Sequence, residues 1–379
     1  MAIIFDKEVS QTELLSSHDD NIVKFHSDNV LAEVSCKVDF GFQSYDITPD
    51  PTGLFTYNLK EVVKVAINPS NFRDSVEPDV HNGNYSLQDD NAYLAVSVTY
   101  QISFEGGSTE SISRNYKFVK GVKQPIKYLN NTIDTVADMI TILAPFEKNS
   151  RKSFFIPYFD GYPMDFAFYS NAARNIIVTN KTTNHTATIP VLAGVNRVFI
   201  SGGDHNMTLD DFLPLVYGVN KLELAIEGSP LELVTLNLDR RRSECGLCFK
   251  YHNEQGGWNY YRFNEIYRED TKTKTIASLA PLFASIEESF ESDVISGKDS
   301  ARTVSLLAEV RDKREQKYLQ QILTSPRVEL YLNEVFERAD SSSWLGIRVL
   351  DGTFRTENTK NSFSELKIKV GITNKSLSL

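Results

Sequence analysis

The chain has 379 residues, 41% of them hydrophobic and 24% charged, which is the make-up of folded protein and not of a disordered or collagenous chain. Fifty acidic side chains against 40 basic ones give a net charge of -10, without the basic footprint of a general nucleic-acid binder. Seventeen Tyr and 23 Phe against four Met and two Trp favour pleated, half-buried strands over helical bundles.

The first ten residues, MAIIFDKEVS, have neither the basic start nor the apolar core of a signal peptide. No apolar run reaches the roughly 18 residues of a membrane-spanning helix. Three cysteines make no disulfide framework, so folding in a reducing cytoplasm is expected. From Asn21 to Lys120 the sequence reads as strands and turns. Val30–Phe42 alternates with period two, and Leu54–Ile67 reads as extended or shortly helical. Tyr93–Phe104 and Ser111–Val119 read as a hairpin about Glu105-Gly106-Gly107. Together these segments predict a sandwich of short strands.

Asn131–Leu143 has near-helical apolar spacing and predicts a short helix, and Ala144–Ser153, with Pro145, reads as a seam. Strands resume at Phe154–Ser170, Asn175–Val178, Ala187–Leu192, Asn196–Ile200 and Lys221–Glu227, with Asp210–Tyr217 as a loop or single turn. Gly246–Tyr251 and Trp258–Phe263 form a hairpin-like pair. Arg268–Ser300 is polar and reads as exposed edge strands and loops, suited to an arm that orders on assembly. Leu306–Leu323 predicts a long amphipathic helix, with Leu307, Val310, Arg314, Tyr318 and Ile322 on one face, stopped before Pro326. Val328–Leu332, Leu345–Leu350 and Phe363–Val370 read as strands, with Asp351-Gly352 as a turn. The expected fold is therefore mainly β: two β-sandwich-like domains followed by a C-terminal α+β domain with one long helix. The boundaries are 1–145, 146–239 and 240–379.

The chemistry-bearing motifs are sparse. Cys245-Gly246-Leu247-Cys248 falls on a strand, where the first and last residues face opposite sides, so these read as structural cysteines and not a redox or zinc pair. His18 and His26 flank Asp19-Asp20, and Asp204 precedes His205, without metal-ligand spacing; they read as exposed loop histidines. Asp89-Asp90 and Asp210-Asp211 are adjacent and not opposed across a cleft. Arg240-Arg241-Arg242, the compact basic run, reads as a solvated linker, with phosphate or an acidic partner as the alternative. No catalytic residue, metal ligand or cofactor is predicted, and the chain is not expected to be an enzyme. A glycan hydrolase would need two carboxylates about 5–10 Å apart across a cleft.

Larger-scale order is more telling. Cys245–Tyr251 leads into Gly256-Gly257-Trp258-Asn259-Tyr260-Tyr261-Arg262-Phe263. Tyr318–Leu323 is followed by Thr324-Ser325-Pro326-Arg327-Val328-Glu329-Leu330, then Ile347–Gly352 and Asn361–Ile368. This order resembles a tail and baseplate structural family of tailed phages and prophages of Bacteroidetes bacteria. The resemblance covers roughly the last third of the chain by motif and the rest by layout. It implies a structural virion subunit at the tail tip or baseplate, forming a symmetric ring with itself and contacting other tail proteins. Assembly in the host bacterial cytoplasm is implied, with no cofactor, nucleic acid or membrane. Tyr158, Tyr162, Tyr169, Trp258, Tyr260, Tyr261 and Trp344 are candidate interface anchors. A carbohydrate- or host-receptor-binding sandwich, stacking such rings on a surface glycan, is the alternative.

Overall fold

In the computed structural model the described residues are 2–29, 33–74, 76, 85–122, 140–145, 152–202, 209–242, 246–263, 265–279, 294–332, 344–355, 364–373 and 377–378. Among the described residues strand exceeds helix, 61% to 8%, which makes the protein mainly β. The chain forms two compact units: Met1–Arg242 with Tyr251–Tyr260, and Ser243–Lys250 with Tyr261–Leu379.

The first unit opens with β1 (Ile3–Lys7), β2 (Leu14–Ser16), β3 (Ile22–Ser27), β4 (Glu33–Asp39), β5 (Ser44–Ile47) and β6 (Phe55–Asn58). Helix α1 (Lys60–Ile67), β7 (Ser86–Gln88), β8 (Tyr93–Phe104) and β9 (Thr109–Val119) follow. Two sheets result, β1-β3-β6 and β2-β9-β8-β4-β5. Period-two alternation sends Val96, Val98, Tyr100, Ile102 and Phe104 of β8 inward, where they share one core with Val23, Phe25 and Phe55 of the smaller sheet and Val62, Val63 and Ile67 of α1. The rings of Phe25 and Tyr100 meet edge-on at 4.9 Å. This core makes the N-terminal part a sandwich, each such large apolar side chain contributing about 1.5–3 kcal/mol on burial. The predicted β8–β9 hairpin forms, its turn made by Gly106 and Gly107 at φ 96° and 83°, a region that side chains with a Cβ avoid.

Then come β10 (Ile140–Ile142), β11 (Ser153–Phe159), β12 (Met164–Ser170), β13 (Arg174–Asn180), β14 (His185–Val191) and β15 (Gly194–Ser201). Helix α2 (Leu209–Phe212), β16 (Gly218–Ile226) and β17 (Ser229–Arg241) complete the run. One sheet runs β10-β12-β15-β7 and the other β11-β17-β16-β13-β14, with β11 parallel to β17. β12 and β15 are buried at every position, so both their faces are covered. Since β7 and β10 pair with β15 and β12, the boundary read at 145/146 falls within this sheet's strand order. Residues 131–139 of the expected short helix lie outside the described residues. Its last part is the strand β10, because Ile140–Ile142 pairs with Phe168–Ser170.

The remaining elements are β18 (Leu247–His252), β19 (Trp258–Phe263), β20 (Glu265–Leu279), β21 (Val294–Val310), α3 (Lys313–Gln320), β22 (Val328–Tyr331), β23 (Trp344–Arg355), β24 (Ser364–Thr373) and β25 (Leu377–Ser378). They form a sheet in the order β19-β18-β22-β23-β24-β21-β20, with β25 on β21. The long helix expected over Leu306–Leu323 does not form. Val304, Leu306, Ala308 and Val310 are buried alternately, and β21 is hydrogen-bonded between β20 and β24. Pairing on both edges fixes period two, and the helical propensity of the Leu307-Ala308-Glu309 stretch is overridden. Helix is confined to α3 and a 3₁₀ turn at Gln321–Leu323. It starts at Asp312, whose carboxylate accepts from the amides of Arg314 at 2.8 Å and Glu315 at 2.9 Å. Asp351-Gly352, expected as a turn, lies inside β23 beside a register shift between Val349 and Asp351.

Candidate functional site

The predicted aromatic anchors are mostly spent inside the chain. Tyr158, Tyr169, Trp258, Tyr260 and Tyr261 are buried, and Tyr162 and Trp344 are half-buried. Trp258 meets His252 edge-on at 5.5 Å. The Tyr261 hydroxyl donates to Glu315 at 2.9 Å. Lys250 Nζ lies 4.4 Å from the Trp344 ring centre and 3.2 Å from Glu329, both charges being nearly sealed from water. The five buried rings face the interior of this chain, and the Tyr162 and Trp344 rings keep part of their surface open.

Tyr260 belongs instead to a buried charge cluster. Arg197 of β15 is 1% exposed. Its Nε and Nη2 grip the Asp165 carboxylate of β12 at 2.8 and 2.7 Å, a bidentate, charge-assisted pair. Nη1 reaches Asp74 at 2.6 Å and Nη2 reaches the Tyr260 hydroxyl at 3.1 Å, while Asp89 stands 3.9 Å away. The Tyr260 hydroxyl also donates to Asp165. Burial opposes the Arg197 charge, but the Asp165 and Asp74 carboxylates outweigh it and hold the guanidinium well above its ordinary range. Burial raises the Tyr260 phenol well above its own, and it raises Asp89 against the pull of Arg197. Nearby, burial presses the His252 imidazole down to about 3 and that of His18 to about 4. The Phe72 ring lies 4.9 Å from each imidazole. The buried Arg197 guanidinium, bonded at once to Asp165, Asp74 and Tyr260, ties these groups together as a clamp. Four segments meet in it: the loop after α1, the turn before β8, the β12–β15 pair and the Tyr251–Tyr260 stretch. Sequence reading passed over Arg197; the available signal was one basic residue, next to Asn196, within the mostly apolar stretch Val195–Ile200.

The other motifs resolve structurally. Cys248 is buried in β18 and burial pushes its thiol up to about 12, which rules it out as a thiolate at neutral pH; Cys245 lies outside the described residues, as does His205. His26 is not a loop residue but sits on β3, 2.8 Å from Asp6. That pair, with Ser27, Asn29, Glu33 and Thr52–Leu54, lines an open groove of about 590 Å³. Arg240 and Arg241 are not a solvated linker but the end of β17. Arg240 binds Asp160 at 2.8 Å and the Leu215 carbonyl at 2.6 Å, and Arg241 binds Asp239 at 2.9 Å. Arg242 is exposed, its guanidinium 4.9 Å from the Tyr217 ring centre.

The arrangement best fitted to meet another molecule is β20. Among the described residues this 15-residue strand is the edge of its sheet, and its side chains from Arg268 to Thr275 are exposed apart from half-buried Asp270. Arg268, Asp270, Lys272 and Lys274 alternate with Glu269, Thr271, Thr273 and Thr275, so one face is charged and the other mainly threonine. Arg268 and Asp270 pair at 2.9 Å, and Arg302 of β21 pairs with Glu269. β24 accompanies β21 only from Val310 back to Ala301, which faces Lys272. Beyond that point β20 and β21 continue as a ribbon flanked, among the described residues, by the two residues of β25, at Gly297 and Lys298.

No family model and no curated protein matches the chain. Among solved structures, the fibronectin(III)-like modules of Clostridium thermocellum CbhA align with 64% of this chain and 95% of theirs, at 6% identity and a TM-score of 0.20. Titin fragment A168169 aligns with 64% of this chain and all of its own, at 12% and 0.24. Domains 4–9 of the surface layer protein SbsC align with 99% of this chain and 43% of theirs, at 8% and 0.20. At TM-scores of this size the likenesses carry no inference about this chain.

Proposed function

We propose that the chain is a non-catalytic structural subunit that assembles with copies of itself, and that its setting is the tail tip or baseplate of a tailed phage. The observation that supports assembly is the ribbon of β20 and β21. A strand exposed on both faces buries little within its own sheet, and a two-stranded ribbon alone is marginal in water. Its outer edge carries backbone donors and acceptors ready for another strand. Lysine on such an edge disfavours indiscriminate pairing, so Lys272 and Lys274 limit the choice of partner. The phage setting rests on the order of sequence motifs around Gly257-Trp258 and Ser325-Pro326 and on nothing in the ribbon itself.

The test is light scattering coupled to size exclusion, with sedimentation over a range of concentrations. Assembly predicts a closed oligomer. Lys272→Pro and Thr273→Pro divide the edge between them, because successive amides on a strand point in opposite directions. The substitution that removes the outward amide should abolish the oligomer while leaving a folded monomer. A chain that stays monomeric at every concentration would refute the assembly reading. Particles of the host phage that lack the protein would refute the tail setting alone.

A further inference from the structure

The turn from α2 into β16 leaves Val216, Tyr217 and Val219 exposed at 43%, 53% and 48%. Single exposed apolar residues are ordinary, but three within four positions mark an interaction surface. The turn is also held in shape. The Asn220 side chain accepts from the Val216 amide at 2.9 Å and donates to the Val216 carbonyl at 2.7 Å. The Tyr217 hydroxyl donates to Asp160 at 2.8 Å, and the guanidinium groups of Arg240 and Arg242 lie 5.1 and 4.9 Å from its ring centre. Asp160 answers the charge of Arg240, whereas exposed Arg242 has no ion pair among the described residues. A preformed surface of three apolar groups and one unanswered cation selects a partner that is apolar and acidic.

The chain itself encodes such a partner. The stretch 280–293 between β20 and β21 reads APLFASIEESFESD. It places Phe283, Ile286 and Phe290 among Glu287, Glu288, Glu291 and Asp293, with no Lys or Arg. From Lys272, where β24 stops accompanying the ribbon, to Leu279 at the end of β20, the strand rise of about 3.4 Å per residue covers roughly 24 Å. We infer that residues 280–293 of one copy dock on the Val216, Tyr217, Val219 and Arg242 surface of a second copy. The contact is heterologous, one patch against a different patch, and so generates rings or filaments according to whether its rotation closes. The inference rests on the assembly role proposed above and names the partner surface.

The test uses the full-length chain and sedimentation equilibrium. Arg242→Glu and Val219→Asp should each weaken self-association by about tenfold or more. The thermal midpoint should hold in Arg242→Glu, whose side chain is exposed, and fall slightly in Val219→Asp, which faces Asp239 across the β16–β17 pair. Glu287→Arg with Glu291→Arg should likewise weaken self-association. Combining these two substitutions with Arg242→Glu should restore association, because the charges are exchanged and not deleted. An oligomer indifferent to Arg242→Glu and Val219→Asp overturns the docking surface and leaves the assembly reading standing. Weakening by Arg242→Glu without restoration in the combined variant overturns 280–293 as the occupant. A wild-type chain that is always monomeric overturns both readings.

Discussion

Replacing Arg197 by methionine tests the clamp most directly. Methionine keeps much of the arginine's length but removes the charge, leaving Asp165 and Asp74, with side chains 0% and 4% exposed, without their cation. Removing one partner of a buried pair typically costs about 3–5 kcal/mol, most of it the penalty of the abandoned charge. For a unit of this size, one kcal/mol moves the midpoint of unfolding by roughly 2–4 °C, so Arg197→Met should lower it by roughly 6–20 °C. The two tryptophans make the assay specific: Trp258 belongs to the first unit and Trp344 to the second. In a Trp344→Phe background the fluorescence of Trp258, 7% exposed, reports on the unit that holds the clamp. Adding Asp165→Asn and Asp74→Asn to Arg197→Met should recover part of the loss, because the two carboxylates bonded to the guanidinium are then neutral and, of this cluster, Asp89, 3.9 Å away, keeps its buried carboxyl. A loss below about 1 kcal/mol for Arg197→Met, or a triple variant no better than the single one, would refute the reasoning.

Acid should loosen the same unit through His252. Its imidazole stays neutral in the fold down to about pH 3 but takes up a proton near pH 6.5 once unfolded. Its contribution is therefore complete above pH 6.5 and is lost progressively below, at about 1.4 kcal/mol per pH unit. His252→Gln should flatten the fall of the Trp258 midpoint between pH 7 and pH 5, and an unchanged slope would reject this assignment. Asp312→Ala, which removes the acceptor at the start of α3, should cost about 1 kcal/mol, read from Trp344 in a Trp258→Phe background. Gly257→Ala drives a Cβ into the Leu143 carbonyl oxygen and should cost about 1–3 kcal/mol in the Trp258 melt; an unperturbed midpoint would show that the backbone yields there.

Much of the fold was legible because burial on one face imprints period two. β8 and β9 could be read almost residue by residue from Tyr93 to Val119, down to the Gly106-Gly107 turn. The β18–β19 pair was legible from its aromatics and the Asn253–Gly257 connection. The Leu306–Leu323 stretch misled for a physical reason. Leu306 and Val310, four apart, satisfy period two and period 3.6 alike, and hydrogen bonding to β20 and β24, remote in sequence, decides between them. The Arg197 clamp was hidden for the same kind of reason: its carboxylates sit at positions 74, 89 and 165, and no local pattern joins them. Aromatic count singled out Tyr260 and Trp258, and no local pattern told that their rings are buried within the first unit.

The first unit is discontinuous, and this bears on how it is made. As the chain is synthesised, β11 emerges long before β17, its parallel partner at Thr235–Arg241, and the sheet stays open until then. Even at Arg242 the unit is unfinished. Tyr251–Tyr260 supplies the Tyr260 hydroxyl to Arg197, the Asn253 side-chain amide to the Leu143 carbonyl at 2.8 Å and the Glu254 carbonyl to the Val122 amide at 3.0 Å. Closing such distant pairs is entropically slow. A nascent chain halted at Arg242 should therefore be protease-sensitive, and release of residues 251–260 should be the step that makes the unit resistant.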